Sequence, residues 1–321
     1  MKKLTLPLLI VALAACGETA PEGTGASSQG GAGVDGGGGA GATSQGGSSD
    51  TGGNSFGGFG GESVTITMAS FDVGPGEEVY KCQDFANPFG GDAEVAAFES
   101  HMTQGSHHLL LFYKDGATDS ALEDCSGLEF AATPYSTQLP DDGTAFPDGV
   151  SALITAGTGL RLQSHYLNTT SSTLTAHVEM TFHLVEPGVE TQHAGVMFIV
   201  EPQFVIAPHS AQTVTHDCNV PLDMNVIKAS SHMHKHGTHF EATVGGLPLY
   251  DTDEWSDPVP TVFNPAKPLQ GGAPLHFECA FQNDSDQFLT FGESAQTNEM
   301  CIFVASFYPV PDDQTVTIGC N

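Results

Sequence analysis

The sequence predicts an all-β protein made of two antiparallel, jelly-roll-like β-sandwich domains preceded by a disordered linker. Three observations predict it. From Ser63 onward, runs such as SVTITMASFDV (63–73), LRLQSHYLN (160–168), LTAHVEMTFHLVE (174–186) and LHFECAFQN (275–283) are rich in β-branched and aromatic residues, and several alternate apolar with polar positions. Clusters of Gly, Pro, Asn and Asp separate these runs, and no long amphipathic helical pattern interrupts them. About 260 residues of such strands exceed one sandwich and suit two. The boundary is placed in VEPGVETQH (185–193), giving a first sandwich over 63–188 and a second over 189–321. Neither half visibly repeats the other.

Ahead of the strands, Lys2 and Lys3 form a positive start and Leu4–Ala14 an apolar stretch too short to span a bilayer as a helix. It ends in Leu13-Ala14-Ala15-Cys16, which resembles the lipobox of bacterial lipoproteins. Residues 1–16 then read as a lipoprotein signal with Cys16 the lipidated residue; the alternative is an ordinary signal peptide followed by an incidental cysteine. The expected location is exported and lipid-anchored, on the periplasmic or cell-surface face of a bacterial membrane, with two or more acyl chains giving stable attachment. From Gly17 to Glu62, Gly, Ser, Ala and Thr dominate and no core can form, so this stretch is a flexible tether spanning roughly 35–40 Å.

The formal net charge is -30, with only eight Lys and Arg. Nucleic-acid binding, which needs cations to displace phosphate counterions, is excluded, as is adhesion to anionic lipid through a basic patch. With Cys16 set aside, six of the seven cysteines remain: Cys82, Cys125, Cys218, Cys279, Cys301 and Cys320. An even number in an exported chain points to disulfides, for which six cysteines permit fifteen pairings. The absence of any CxxC argues against a thiolate zinc site.

Fourteen histidines are present, and three local patterns stand out. His107-His108 opens the apolar run HHLLLFY; neighbouring strand residues face opposite ways, so both can reach one metal only at a strand end or bulge. His165 lies inside LQSHYLN. In SSHMHKHGTHF, His232, His234 and His236 alternate, which on a strand puts them on one face, and imidazoles at i and i+2 form a chelating pair. A polar strand edge would account for the same spacing without metal.

Together these segments resemble the copper type II, ascorbate-dependent monooxygenases, a family that includes peptidylglycine α-hydroxylating and dopamine β-monooxygenases. VYKCQDF, FESHMTQGSHHLLLFY, LQSHYLN, SSHMHKHG and NEMCIF appear in the family's order, from about Val64 to the C-terminus. The resemblance implies two coppers per chain. His107, His108 and His165 would hold an electron-transfer copper, and His232, His234 and Met300 an oxygen-activating one. Gln163 matches a position linked to electron transfer, and His236 is left unassigned. The implied disulfides are Cys82–Cys125, Cys218–Cys320 and Cys279–Cys301. Imidazole suits both copper oxidation states, while the thioether favours Cu(I).

The chain departs from the peptidylglycine pattern at the substrate pocket. Ser230 stands where those enzymes carry an arginine, and Ile302 and Val304 stand where an asparagine and a tyrosine contact peptide. Serine and aliphatic residues do not replace a bidentate carboxylate clamp. The expected function is therefore hydroxylation of a C–H bond on a small, apolar or neutral molecule that is not a C-terminal glycine peptide, using O2 and ascorbate or another reductant. A copper-binding lipoprotein without turnover, serving storage, buffering or delivery, is the alternative.

Overall fold

A computed structural model describes residues 61–127, 129, 132–311 and 317–320. The expected signal segment with Cys16, and the tether except for Gly61 and Glu62, lie outside the described residues. Among the described residues there are 24 strands and no helix.

One sheet runs β1 (Ser63–Thr67), β12 (Val178–Leu184), β4 (Ala93–Met102), β9 (Val150–Ile154), β13 (Gln192–His193), with β8 (Asp141–Ala145) also on β4. Facing it are β6 (Glu123–Asp124), β3 (Glu78–Phe85), β10 (Thr158–Leu167), β5 (Ser106–Asp115) and β7 (Tyr135–Thr137). A two-stranded ribbon of β2 (Phe71–Val73) and β11 (Leu174–Ala176) adds Phe71, Val73 and Ala176 to the core between these sheets. Val95, Phe98 and Phe182 of the first sheet share one core with Leu109, Leu111 and Leu162 of the second, which makes the pair a sandwich.

The second sandwich packs β20 (Thr261–Leu269), β17 (Met224–His232), β23 (Ile302–Tyr308), β14 (Gly195–Val200) and β24 (Thr317–Ile318) against β16 (Ser210–Asn219), β21 (Pro274–Asn283), β18 (Gly237–Val244) and β19 (Leu247–Thr252). Its ribbon is β15 (Val205–Ile206) with β22 (Leu289–Thr290). The alternation read from LHFECAFQN is realised in β21, where Leu275, Phe277, Cys279 and Phe281 are buried and the residues between them are half-buried. Phe240 and Phe303 stack on Phe277 at 5.7 and 6.1 Å in the centre of this core.

The second sandwich repeats the first. The order β1-β12-β4-β9 matches β14-β23-β17-β20, β3-β10-β5-β7 matches β16-β21-β18-β19, and β2-β11 matches β15-β22, with chain order preserved throughout. The reading of the sequence missed this repeat, because topology is carried by alternation and turns rather than by residue identity. One shared device does survive in the residues. Asn168 and Asn283, each just beyond or at the end of its central strand, are fully buried and donate Nδ2 to the ends of β2 and β15, at Val73 O (2.9 Å) and Ile206 O (3.4 Å). Each Oδ1 accepts the backbone N–H two residues on, from Thr170 and Ser285, both at 3.0 Å, an Asx turn.

The disulfides are Cys82–Cys125, Cys218–Cys320 and Cys279–Cys301, the set the resemblance implied. The last ties β21 to the residue that follows Met300.

Candidate metal centre

The fourteen histidines divide by environment. Eight each lie against an Asp or Glu in the partly exposed shell, as His101 does with Asp141 and His276 with Asp217. Five others, His107, His108, His165, His232 and His234, are buried together. His236 belongs to neither set.

Local backbone explains how the five converge. The β4–β5 turn uses Gly105 at φ +103°, where a Cβ would stand 2.9 Å from Leu174 Cδ2, so only glycine fits without a shift. Across β10, His165 pairs with His108 but Tyr166 pairs with Ser106, so His107 is the extra residue of a β-bulge. That bulge is the break in the pleat that lets adjacent histidines serve one site. The corresponding β17–β18 connection carries the other pair. Here the expected single strand face is not what forms: His232 closes β17, Met233–His236 make a turn, and β18 begins at Gly237. The buried Glu299 carboxylate fixes this turn, accepting N–H from His234 (3.0 Å) and His236 (2.9 Å). Burial pushes the Glu299 pKa up to about 8 in spite of those N–H bonds. His236 stays half-exposed at the rim, its backbone used and its ring outside the cluster.

His107 is the centre. Its ring lies 5.5 Å from His108, 4.9 Å from His165, 4.9 Å from His232 and 5.2 Å from His234. Two triads, His107–His108–His165 and His107–His232–His234, each have ligand nitrogens within 4.8 Å of one another. The sequence reading divided these histidines between two sites; in the fold they meet in one cluster, with His107 common to both triads. Met300 is buried and lines a cavity together with His108 and His232. Gln163 is fully buried beside His108 and donates Nε2 to Ser126 O at 2.9 Å.

Each of the five rings has one buried nitrogen without a hydrogen-bond partner among the described residues: Nε2 of His107, His108, His232 and His234, and Nδ1 of His165. Three of them are oriented through the other nitrogen. His165 Nε2 donates to Glu78 Oε1 at 2.9 Å, His234 Nδ1 to Asn298 O at 3.1 Å, and His232 Nδ1 to Gln138 Oε1. Tyr80 stacks on His165 at 3.8 Å. Burial, reinforced by the neighbouring imidazoles, holds the pKa of His107, His165 and His232 well below 6.5; His108 falls to about 3 and His234 to about 4. All five are therefore neutral at physiological pH, the form that binds metal. A neutral ring held at one nitrogen and bare at the other is the arrangement of metal-ligating histidine. The donor set fits a metal that takes imidazole, and Met300 lines the same cavity as His108 and His232.

Glu78, Tyr80, Gln138 and Glu299 were missed as supports. Glu299 stood in the NEMCIF motif itself, and a carboxylate beside a ligand was a usable signal. Gln138 carries none, since only the fold brings the residue after β7 onto the end of β17.

The cavity, about 420 Å³, lies between β5 and β7 on one side and β14, β23 and β17 on the other. Ser230, Ile302 and Val304, the positions that depart from the peptide-binding pattern, all line it. Arg161 does not: its guanidinium is bound to Asp84 (2.5 and 3.2 Å), Glu123 (3.1 Å) and Glu129 (3.1 Å).

No family model and no curated protein matches this sequence. Among solved structures the chain is similar to the STIV MCP, at 10% identity and TM-score 0.34, over 78% of this chain and 97% of that one. It is also similar to PBCV-1 VP54 fitted into a cryo-EM reconstruction of the virophage Sputnik, at 6% identity and TM-score 0.23 over 77% and 94% of the two chains. The PBCV-1 virus capsid gives 7% and 0.23 over the same shares.

Proposed function

We propose that this chain is a copper-dependent oxidoreductase, similar to the copper type II monooxygenases, that hydroxylates a C–H bond of a small molecule with O2 and ascorbate or another reductant. The observation that carries the proposal is the cluster of five buried imidazoles, each with one unpartnered ring nitrogen, two of which, His108 and His232, line a cavity together with Met300. His107, His108 and His165 would hold one copper and His232, His234 and Met300 another. Copper there would supply one-electron redox chemistry and the activation of dioxygen. The protein's own part is positioning and exclusion of water: Glu78, Gln138 and the Asn298 carbonyl fix the ring orientations, and the Val, Ile and Phe walls of the cavity exclude solvent from a substrate. Without a free arginine in the cavity, a C-terminal glycine carboxylate has no clamp, so such peptides are not its substrates.

Because His107 is common to both triads, the number of coppers bound is the first quantity to measure. Two coppers per chain with ascorbate-dependent O2 uptake supports the enzyme. Met300→Ile should abolish O2 uptake while leaving copper at His107, His108 and His165; unchanged uptake refutes the placement of the second site. The near-complete burial of the histidines, at 0 to 9% exposure, favours a second reading, a copper-holding protein without turnover. Copper uptake with no O2 consumption across a broad substrate screen selects it, and no uptake refutes both. Lipid anchoring at Cys16 is part of the proposal, tested by mass spectrometry of the mature N-terminus.

A further inference from the structure

We infer that the 420 Å³ cavity is a binding site for an uncharged, elongated amphiphile, with an apolar body along Val304 and Phe198 and a hydroxyl- or amide-type hydrogen-bond donor at Asp142. The inference rests on the reading above only for which end of the molecule reacts.

The β14–β23–β17 face of the cavity is three rows deep. Register places His232 opposite Ile302 and Val200, Ser230 opposite Val304 and Phe198, and Lys228 opposite Ser306 and Val196, and all nine line the cavity. Four residues of strand separate the first row from the third, about 13 Å. The first row carries His232, the second is mainly apolar, and the third carries Lys228 and Ser306 beside Val196. At that far end Tyr135 and Thr144, both buried, and the nearly buried Asp142 side chain come from the first sandwich and meet Lys228 of the second.

The hydrogen bonds at the far end decide what it accepts. Lys228 Nζ donates to Asp142 Oδ2 at 2.6 Å, Thr144 Oγ1 at 3.2 Å and Gly143 O at 3.4 Å. A lysine ammonium has three N–H donors, so these three acceptors use them all. Tyr135 also donates to Asp142 Oδ2, at 3.1 Å, and Oδ1 has no hydrogen-bond partner among the described residues. The ion pair is neutral as a unit. A ligand carboxylate would find no free N–H and would face Asp142, and a ligand ammonium would stand against Lys228. A hydroxyl or amide N–H matches the remaining carboxylate oxygen without adding charge.

The test is calorimetric binding of 1-octanol, octanoate and octylammonium to the mature, metal-free protein, with copper uptake measured by metal analysis on the same preparation. The expected result is that 1-octanol binds at least tenfold more tightly than either ion. Val304→Trp, which fills the middle row, should weaken 1-octanol binding more than tenfold while copper uptake is retained. Asp142→Asn, which removes the negative partner and leaves Lys228 charged, should reverse the order so that octanoate binds more tightly. Octanoate binding wild type as well as 1-octanol, or Val304→Trp leaving 1-octanol binding unchanged, overturns the inference. Absence of 1-octanol binding in protein that takes up copper also overturns it and leaves the copper proposal standing, whereas 1-octanol binding without copper uptake does the reverse.

Discussion

Replacing Lys228 with Met should destabilise the protein by about 3–5 kcal/mol, because it strands Asp142 as an unpaired charge in the interior. The side chains of Lys228 and Asp142 are only 9% and 8% exposed and lie 2.6 Å apart. At an effective dielectric of about 20, that separation corresponds to roughly 6 kcal/mol of gross attraction, most of it offset by desolvation while both partners are present. The same reasoning makes the double variant Lys228→Met/Asp142→Leu far less damaging than either single change. The pair also joins β8 of the first sandwich to β17 of the second, so its loss should fall on the docking of the two and split unfolding into two transitions. Urea unfolding of metal-free protein measures both effects, followed by far-UV circular dichroism and by the single tryptophan, Trp255, whose ring lies 5.9 Å from His107. Lys81→Met is the control: its partner Asp124 is 83% exposed, and the change should stay within about 1 kcal/mol. A cost below about 1 kcal/mol for Lys228→Met, with no coupling in the double-mutant cycle, would refute the reasoning.

Two further outcomes follow from the cluster. Gln138→Leu removes the acceptor that orients His232 Nδ1 and should lower copper affinity about 10–100-fold with little change in fold, as read by competitive titration; unaltered affinity would show that the contact does not position the ring. Acid should weaken the metal-free protein, because the buried histidines have folded pKa values depressed below 6.5, and the contribution present above that value is lost as pH falls through the window toward about 3 for His108 and about 4 for His234. Each such histidine removes roughly 1.4 kcal/mol per pH unit below 6.5, so the urea midpoint should drop clearly between pH 7.5 and 5.5, and a constant midpoint contradicts the assignment.

The all-β class was legible because it needs only short-range signals. β21 alternates in the sequence and in the fold, and turn residues mark the strand ends. The convergence of His107, His108 and His165 with His232 and His234 was not legible, since the spacing of ligands along a chain says nothing about how two sandwiches dock. The resemblance singled out the same five histidines and divided them between two sites, with no indication that they lie in one cluster. The SSHMHKHG segment was read as strand on the strength of its alternation; its turn geometry depends on Glu299, which lies more than sixty residues further on. The repeat was invisible for a related reason: a β-sandwich constrains which positions are apolar, not which apolar residue fills them.

The repeat also explains how both halves contribute to one histidine cluster. The β4–β5 and β17–β18 connections occupy equivalent places in the two sandwiches, and each has one histidine pair at or next to it. Either corner alone offers two imidazoles; facing each other, with His165 from β10, they offer five. Burying a polar atom without a partner costs about 1–3 kcal/mol, so five bare ring nitrogens represent a penalty of the same order as the stability of a whole domain. Glu78, Gln138 and Asn298 cannot offset it, because they bond the opposite nitrogens. A histidine cluster whose buried nitrogens find no partner within the protein makes physical sense as a device whose nitrogens are used by a ligand, which is the ground for proposing a metal there rather than five coincidental core histidines.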